Sequence, residues 1–540
     1  MHKNKISALT ALLIIGLAIS VFPVTVSCES PQLDIRPIIF VHGGAGSAQQ
    51  FESQAMRFTS NGYPPNYIAV LEYDSTFTIE NMTNVWARLD NLIDSILEET
   101  GADKVDLIGH SLGTAVCQGY LAFPARAAKV AHYVNIDGRT ATSLPGGVPT
   151  LAIWAGKGWT AVPGREIVGA TNVLMDNQTH VEVATSAESF VEMYKFFTGK
   201  EPLTKNILPE PPCEVKLAGR VVIFPLNVWV GTATLEIWEV DSDTGARIHT
   251  TPEAIYSISG NGAWGPFNAK GGVHYEFALL REGMATHHFY LEPSIRSNYW
   301  IRLLTSLPGG IADYVDRSDH HSALVIIRNK EFWGDQGVNN DILEINGVNV
   351  VTAATCPVIK PVYKTGVIGI WVYDRYADGV SNLTAPIPYY FAQAFQTGVD
   401  LYIPAAIPPN GTISLVLTPR GGSGKKQVIN IPNWASSTDR ISVQFNDYVQ
   451  DVRMLIGFGG LRIDRNWNGG KTIVYIIDAT LIDFRVNGVR VAWNIVYHQI
   501  YTNMEYYKGE GELDWITLLI VKKYAVASGP RVFFIGQTVY

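Results

Sequence analysis

The segment Val105-Asp106-Leu107-Ile108-Gly109-His110-Ser111-Leu112-Gly113-Thr114 constrains the fold of this chain more than any other. Val105, Leu107 and Ile108 make a short apolar strand, Gly109 to Gly113 spell G-x-S-x-G, and small residues then open a helix. A serine on a sharp strand-to-helix turn is held in a strained backbone, and the flanking glycines leave room for neighbouring backbone to pass. Its hydroxyl projects above the carboxyl ends of a sheet, and the first N–H groups of the new helix point at any oxyanion formed there. The pentapeptide alone recurs by chance; the strand before it and the helix after it give it meaning.

The surrounding sequence supplies that sheet. Pro37–Val41 is an unbroken apolar run ending in His42-Gly43-Gly44-Ala45-Gly46, which fits a buried parallel strand with a tight loop at its carboxyl end. Tyr67–Leu71, Val130–Ile136, Thr150–Trp154 and Asn172–Met175 read as further strands. Apolar residues from Met82 to Leu97 recur at helical spacing before Gly101, and a closing helix is expected over about 187–197. Strands alternating with helices predict an α/β doubly wound parallel sheet, with ligands at the carboxyl ends of its strands.

Pro202–Pro212 is a proline-rich linker that no helix can cross. Beyond it the apolar period changes to two, as in Tyr275–Leu279 and Ile413–Leu417, with Asn261-Gly262 and Arg420–Gly424 as hairpin turns. The expected organisation is a leader at 1–28, an α/β domain at 33–200, the linker at 201–212, β domains at 213–303 and 304–447, and a β-rich tail at 448–540. The basic start and the apolar run Ile6–Val26 read as a secretory signal. An uncleaved anchor, or lipid attachment at Cys28, is the alternative. A net charge of −8 and the lack of any basic tract argue against a nucleic-acid partner. The four cysteines include no C-x-x-C pair. Cys117 reads as a buried thiol, and Cys213 with Cys356 could form a disulfide in an exported protein.

A serine needs a base, and the base needs a third group to fix its tautomer. Between Ser111 and the linker there are two histidines. His132 lies inside an apolar strand and reads as packing, whereas His180 follows the last strand in a polar loop at the carboxyl edge. His180 is the candidate base. Asp137 directly ends the Val130–Ile136 strand and is the candidate acid, with Asp176 as the alternative. The loop after Thr150–Trp154 carries no carboxylate, but its Trp159 is a candidate to touch substrate. An oxyanion needs two backbone donors, expected from the N–H groups of Leu112 and Gly44. His42 reads as a structural hydrogen-bonder in the first loop.

Taken together, Val41-His42-Gly43-Gly44, Gly109–Gly113, Asp137-Gly138 and Asn172-Val173 before His180 resemble the lipase/esterase branch of the α/β-hydrolases. The chain is similar to archaeal and bacterial secreted lipases with a C-terminal β domain. Ala218–Val222, Thr244–Arg247 and Gly262–Phe267 resemble that β domain. The resemblance spans about residues 35–445. It implies hydrolysis of carboxylic esters, those of acyl lipids, with peripheral contact to lipid surfaces and no cofactor. Thioesterase or acyltransferase chemistry would use the same residues, and an envelope-associated binding or adhesion role for the β domains is the reading from another class.

Helices and a strand fill the stretch from Gly44 to Ser111, which leaves little room for an inserted lid. The β half is therefore expected to extend the acyl site, and a chain ending near Lys200 to keep only its activity on short esters; structural support or surface attachment is the alternative. Asp241–Gly245 echoes a calcium loop but lacks the distal Glu, and Asp319-His320-His321 and His287-His288 place adjacent imidazoles on opposite strand faces, so no metal site is assigned. The sequons at Asn81, Asn177, Asn382 and Asn410 matter only in a glycosylating host.

Overall fold

The computed structural model describes residues 35–210, 213–422, 424–449 and, in the tail, strands at 456–457, 461–464, 473–486 and 489–500. Residues 1–34, with the expected leader and Cys28, lie outside the described residues. Among those described, no helix is long and apolar enough to cross a membrane.

The first half is built from β1 (Ile38–Val41), α1 (Glu52–Ser60), β2 (Ile68–Leu71), α2 (Met82–Thr100), β3 (Val105–His110), α3 (Leu112–Leu121), α4 (Pro124–Ala127), β4 (Val130–Ile136), β5 (Thr150–Ala155), β6 (Thr171–Met175), α5 (Glu182–Thr185) and α6 (Ala187–Thr198). Its six strands run parallel in the order β2-β1-β3-β4-β5-β6. The helices follow their caps. Asn81 accepts a hydrogen bond from the Asn84 N–H to start α2, and left-handed Gly101 ends it. Val85, Leu89, Ile93 and Ile96 face inward along α2, packing with α3 on one face of the sheet. α1, the turn before it and α6 cover the other face through Phe51, Phe58, Phe190 and Phe197. The chain order reverses between β1 and β3, which places the loops after both strands at the crevice where such sheets bind ligands.

The second half contains β7 (Lys216–Ile223), β8 (Ala233–Glu239), β9 (Ala254–Ile258), β10 (Ala263–Asn268), β11 (Tyr275–Leu280), β12 (Thr286–Leu291), β13 (Asn298–Thr305), β14 (Leu324–Phe332), β15 (Ile342–Ile345), β16 (Val348–Asn349), β17 (Val367–Tyr373), the single turn α7 (Pro388–Phe391), β18 (Gln396–Asp400), β19 (Thr412–Thr418), β20 (Gln427–Pro432) and β21 (Asp439–Phe445). An eight-stranded sheet, β18-β17-β14-β21-β12-β11-β8-β9, runs through both segments and joins strands from either side of residue 303. Three-stranded β10-β7-β13 and four-stranded β16-β15-β19-β20 supply the other walls of two apolar cores. The tail strands Ile473–Val486 and Val489–Ile500 pair antiparallel.

Two expectations change. Asn261-Gly262 is not a hairpin turn, because β9 joins β8 in the large sheet while β10 joins β7 in the small one. The chain switches sheets there. Cys213 and Cys356 do not pair: both are free, Cys213 exposed and Cys356 buried in the β core.

The halves dock through buried polar groups as well as apolar ones. Arg302 on β13 pairs with Glu72 after β2, Gln444 on β21 donates to Glu52 on α1, and Ser53 donates to Asp447. Burial, reinforced by the Asp447 charge, pushes Glu52 from an ordinary 4.5 up to about 8, and burial does the same to Glu292. Arg302 opposes the shift of Glu52, and Arg328 that of Glu292, without reversing it. Two carboxyls elsewhere shift the other way. Despite burial, Asp137 falls from 3.8 to about 2 through His180, Thr160 and Arg165, and Glu182 falls from 4.5 to about 2 through Arg420 and Lys330. Depressed groups contribute stability above their unfolded values and lose it as pH falls toward 2. Raised carboxyls make the folded state bind more protons, so stability declines as pH climbs from 4.5 toward 8. Thermal melting is expected to be highest near pH 5 and to fall toward pH 8. Glu52→Gln should flatten the alkaline side of that curve, and an unchanged profile in this variant would refute the assignment.

Candidate active site

Ser111 sits on the turn between β3 and α3 at φ +52°, ψ −121°, the strained conformation that the strand-turn-helix sequence predicts. The surrounding glycines are there for space. A Cβ on Gly113 would lie 2.3 Å from the Val41 carbonyl oxygen, one on Gly109 2.9 Å from Cys117 Sγ, and one on Gly43 2.9 Å from Ser111 Cβ. The α3 turn can therefore lie against β1, and the loop after β1 against the serine, only with hydrogen at those positions.

His180, in the loop between β6 and α5, is buried with its ring reaching Ser111. Its Nε2 lies 2.9 Å from Ser111 Oγ and its Nδ1 2.6 Å from Asp137 Oδ2. Asp137 also accepts from Thr160 Oγ1 at 2.5 Å, Arg165 Nη1 at 2.6 Å and the Ala155 N–H at 3.1 Å. These partners outweigh the cost of burying the carboxylate and hold it at about 2, so it is ionised and can only accept. Nδ1 of His180 must then carry a proton, which leaves Nε2 as the acceptor facing the serine hydroxyl. The serine, the imidazole and the carboxylate are thus brought into one relay. Asp176 is exposed at the end of β6 and makes no contact with His180. His132 bonds Asp106 at 2.8 Å and packs on Phe196 and Phe197, within the fold.

Three further groups hold His180, two from the first half and one from the β half. Trp159 meets the ring edge-on at 4.8 Å between centroids. It supports the imidazole from outside the residues that line the cavity. Phe395, from the loop before β18, stacks on the ring at 6.2 Å. Lys360 Nζ donates to the carbonyls of Phe391, Gln393 and Gln396 and fixes that loop. His110 Nε2 donates to the His180 carbonyl at 2.8 Å, and its Nδ1 accepts from Gln50 Nε2 at 2.7 Å. Burial pushes His110 down to about 3, so this link is neutral.

The strongest hold comes from the β half. Glu331 on β14 reaches across: Oε1 accepts from the Val181 N–H at 2.7 Å, and Oε2 from Thr179 Oγ1 at 2.7 Å and the Glu182 N–H at 3.0 Å. One buried carboxylate therefore clamps the residues on both sides of His180. Neither Glu331, Arg165 nor Phe395 carries a signal in the sequence, because each is defined by a partner far along the chain or in a loop with no pattern of its own.

The loop after β1 lies against the start of α3: a Cβ placed on Gly44 would lie 3.7 Å from Leu112 Cδ2. Leu112 is the first residue of α3, where N–H groups have no partner within the helix. His42 is buried, stacked on Tyr73 at 4.3 Å, and kept neutral by burial, with Nδ1 donating to the Gly43 carbonyl. It shapes the loop, as its position suggested.

These groups open into a cavity of about 360 Å³ whose wall joins both halves. Gly44, Ser111 and His180 line one side. Met284, Leu304, Leu307, Val325, Ile327 and Trp371 from the β half line the other. Among the described residues one group of metal-ligating side chains, Glu239, His249 and Glu253, has its ligand atoms within 4.8 Å of one another; it sits at the end of β8 and in the connection to β9, and Glu239 is already paired with Lys270.

Residues 35–129 match the Lipase (class 2) family, residues 213–308 the Lipase C-terminal domain family, and residues 310–449 a further C-terminal domain family. The first match contains Gly44, Ser111 and Leu112 and ends before Asp137 and His180. Among solved structures, Bacillus licheniformis lipase BlEst2 in its propeptide form aligns over 74% of this chain and 93% of its own, at 11% identity and a TM-score of 0.25. Aspergillus fumigatus lipase B aligns over 32% of this chain and 54% of its own, at 14% identity and a TM-score of 0.25. A structure from a study of the metagenome-derived lipolytic enzymes LipS and LipT aligns over 31% and 95%, at 13% identity and 0.24.

Proposed function

We propose that this chain, an α/β-hydrolase of the lipase/esterase type followed by C-terminal β domains, cleaves the carboxylic esters of acyl lipids through a covalent acyl-enzyme. The observation that carries the reading is the unbroken relay Ser111 Oγ, His180 Nε2, His180 Nδ1, Asp137 Oδ2 at the mouth of a largely apolar cavity.

In this mechanism Ser111 Oγ attacks the ester carbonyl carbon while His180 Nε2 takes the hydroxyl proton. Asp137 stabilises the imidazolium and fixes the ring orientation. The tetrahedral oxyanion lies between the Gly44 and Leu112 N–H groups, each worth on the order of 10²–10³ in turnover in comparable sites. Collapse expels the alcohol, which takes the proton from His180. A water then attacks the acyl-serine by the same proton path in reverse and frees the acid. No metal or cofactor enters any step. The reading takes the basic start and apolar run of residues 1–28 as an export signal, so that the enzyme acts outside the cell or at its surface.

Hydrolysis of p-nitrophenyl esters of increasing chain length by the wild type and by Asp137→Asn tests this. Wild-type kcat/KM should rise with chain length, because each buried methylene contributes about 0.8 kcal/mol. Asp137→Asn should lower kcat by about 10³–10⁴ with little change in KM, since the neutral amide no longer selects the Nδ1–H tautomer. Near wild-type turnover in Asp137→Asn, or no ester turnover by the wild type, would refute the reading.

A further inference from the structure

The cavity is not apolar throughout. The face of the eight-stranded sheet turned toward the first half has a direction. Along β14 that face presents Ala323, Val325, Ile327, Asn329 and Glu331 in turn, while Leu324 and Ile326 point into the β core. Its far end reaches the catalytic half: Asn329 donates to the Gln49 carbonyl, and Glu331 clamps the His180 loop. At its near end, Leu324 pairs with Ile441, so Arg440 on parallel β21 lies level with Ala323. From Ala323 to Asn329 is about 20 Å along the strand at roughly 3.3 Å per residue. Between the two ends the lining is mainly apolar, from Val325, Ile327, Ile368 and Trp371, and the polar groups there, Ser442 and Gln396, are bonded to His287 and Trp371.

Three arginines line the Arg440 end of the cavity. Arg440 on β21 lies beside His287 of β12, Arg281 sits in the turn between β11 and β12, and Arg317 lies on the loop before β14. They are short of countercharge. Asp313 is the one carboxylate among the lining residues, and it meets Arg317 Nη2 at 3.3 Å. The remaining protein partners are carbonyls. Arg440 Nη1 donates to Ser436 and Asp439, Arg317 to Ser436 and Ala312, and Arg281 Nη1 to Ser306. Arg281 Nε is buried with no acceptor. Burial first, and then the Arg317 charge, hold Arg440 down at about 10, so the guanidinium groups feel one another. His287 is kept neutral by burial and by Arg281 and Arg440, and adds no charge. Guanidinium donors that face a cavity, repel one another and lack acceptors favour an anion between them.

We propose that this end of the cavity binds an anionic group, a carboxylate or a phosphate, carried at the far end of a long acyl ligand whose reacting carbonyl lies at Ser111. The ligand is amphipathic end to end, with the ester at the serine, methylenes along Val325, Ile327 and Trp371, and the anion on Arg281, Arg317 and Arg440. The proposal rests on the ester-hydrolase reading, and its test separates the two.

Two p-nitrophenyl esters of equal length, the mono-ester of hexadecanedioic acid and the ester of hexadecanoic acid, are compared below their micelle concentrations. Hexadecyl phosphate and hexadecanol are compared as inhibitors of p-nitrophenyl butyrate hydrolysis. The wild type should prefer the anionic member of at least one pair by about tenfold to a hundredfold, the range of charge-assisted hydrogen bonds. A larger preference in the ester pair identifies a carboxylate site, and in the inhibitor pair a phosphate site. That ratio should shrink with added salt, approach one in Arg440→Gln and Arg281→Gln, and be largely kept in Arg440→Lys. Arg281 is bound to a single carbonyl, so Arg281→Gln tests the site even if Arg440→Gln fails to fold. If butyrate is cleaved in a Ser111-dependent way but neither anion is preferred, or if the preference survives in all the glutamine variants, the proposal is overturned and the hydrolase reading stands. Absence of Ser111-dependent cleavage of butyrate would overturn the hydrolase reading itself.

Discussion

Ser111→Ala is expected to abolish covalent labelling by a fluorophosphonate and to lower ester turnover by about 10⁴–10⁶-fold, while the protein melts within a few degrees of the wild type. The chemical loss is large because the nucleophile and its base act as one unit, and removing either leaves only binding and oxyanion stabilisation. The small structural effect follows from the contacts. The Ser111 hydroxyl bonds only to His180 Nε2 at 2.9 Å, and the positive φ is imposed by the backbone, through the Ser111 N–H to Ile136 and the Thr114 N–H to Ser111, not by the side chain. Alanine at φ +52° carries nearly the same strain as serine. Intact-protein mass spectrometry after exposure to the probe gives a direct reading. An adduct that persists in the variant would move the nucleophile elsewhere.

The parts of the site that could be read in the sequence are those set by local chain geometry. The serine turn is written in five consecutive residues, and His180 and Asp137 each follow a strand whose apolar run ends within one to a few residues of them. A carboxyl-terminal strand end is a place in space as well as in sequence, because all six strands are parallel. The long helices α2 and α6 were legible in the same way, α2 through its apolar spacing and the Gly101 stop. The β half was less so. Alternation shows that β9 and β10 are strands, but not that they belong to different sheets, since a tight turn serves a hairpin and a sheet switch equally well. Least legible were contacts made across the chain. Glu331 lies 150 residues from Val181, and nothing in Lys330-Glu331-Phe332 marks its carboxylate as a partner of backbone donors. Phe395 is unmarked for the same reason, since its loop earns its position from Lys360 and from the ring of His180.

That hidden contact alters what the β half is for. Sequence reading treats it as an added wall, so that removing it would cost only long-chain activity. In the structure the Glu331 carboxylate accepts three buried donors on either side of His180, and the neighbouring Glu182 is itself held by Lys330 and Arg420 at 2.8 Å each. Glu331→Ala would leave the Thr179 hydroxyl and the Val181 and Glu182 N–H groups unpaired in the interior, at about 1–3 kcal/mol for each. The loop can recover these bonds only by moving, and His180 moves with it. Displacement of a base by about 1 Å costs on the order of 10²-fold in rate. Turnover per folded molecule is therefore expected to fall by about 10²–10³, in kcat far more than in KM, and equally for butyrate and hexadecanoate esters. Glu331→Gln, which keeps one acceptor oxygen, should recover part of that loss. Counting folded molecules by melting signal and reactive ones by the rate of fluorophosphonate labelling separates positioning from stability. A merely structural role would lower the folded fraction and leave the labelling rate of the remainder unchanged, and that result would refute the clamp. By the same argument a chain ending near Lys200 lacks the carboxylate that holds its own histidine, so its activity should be lost on short esters as well as long ones.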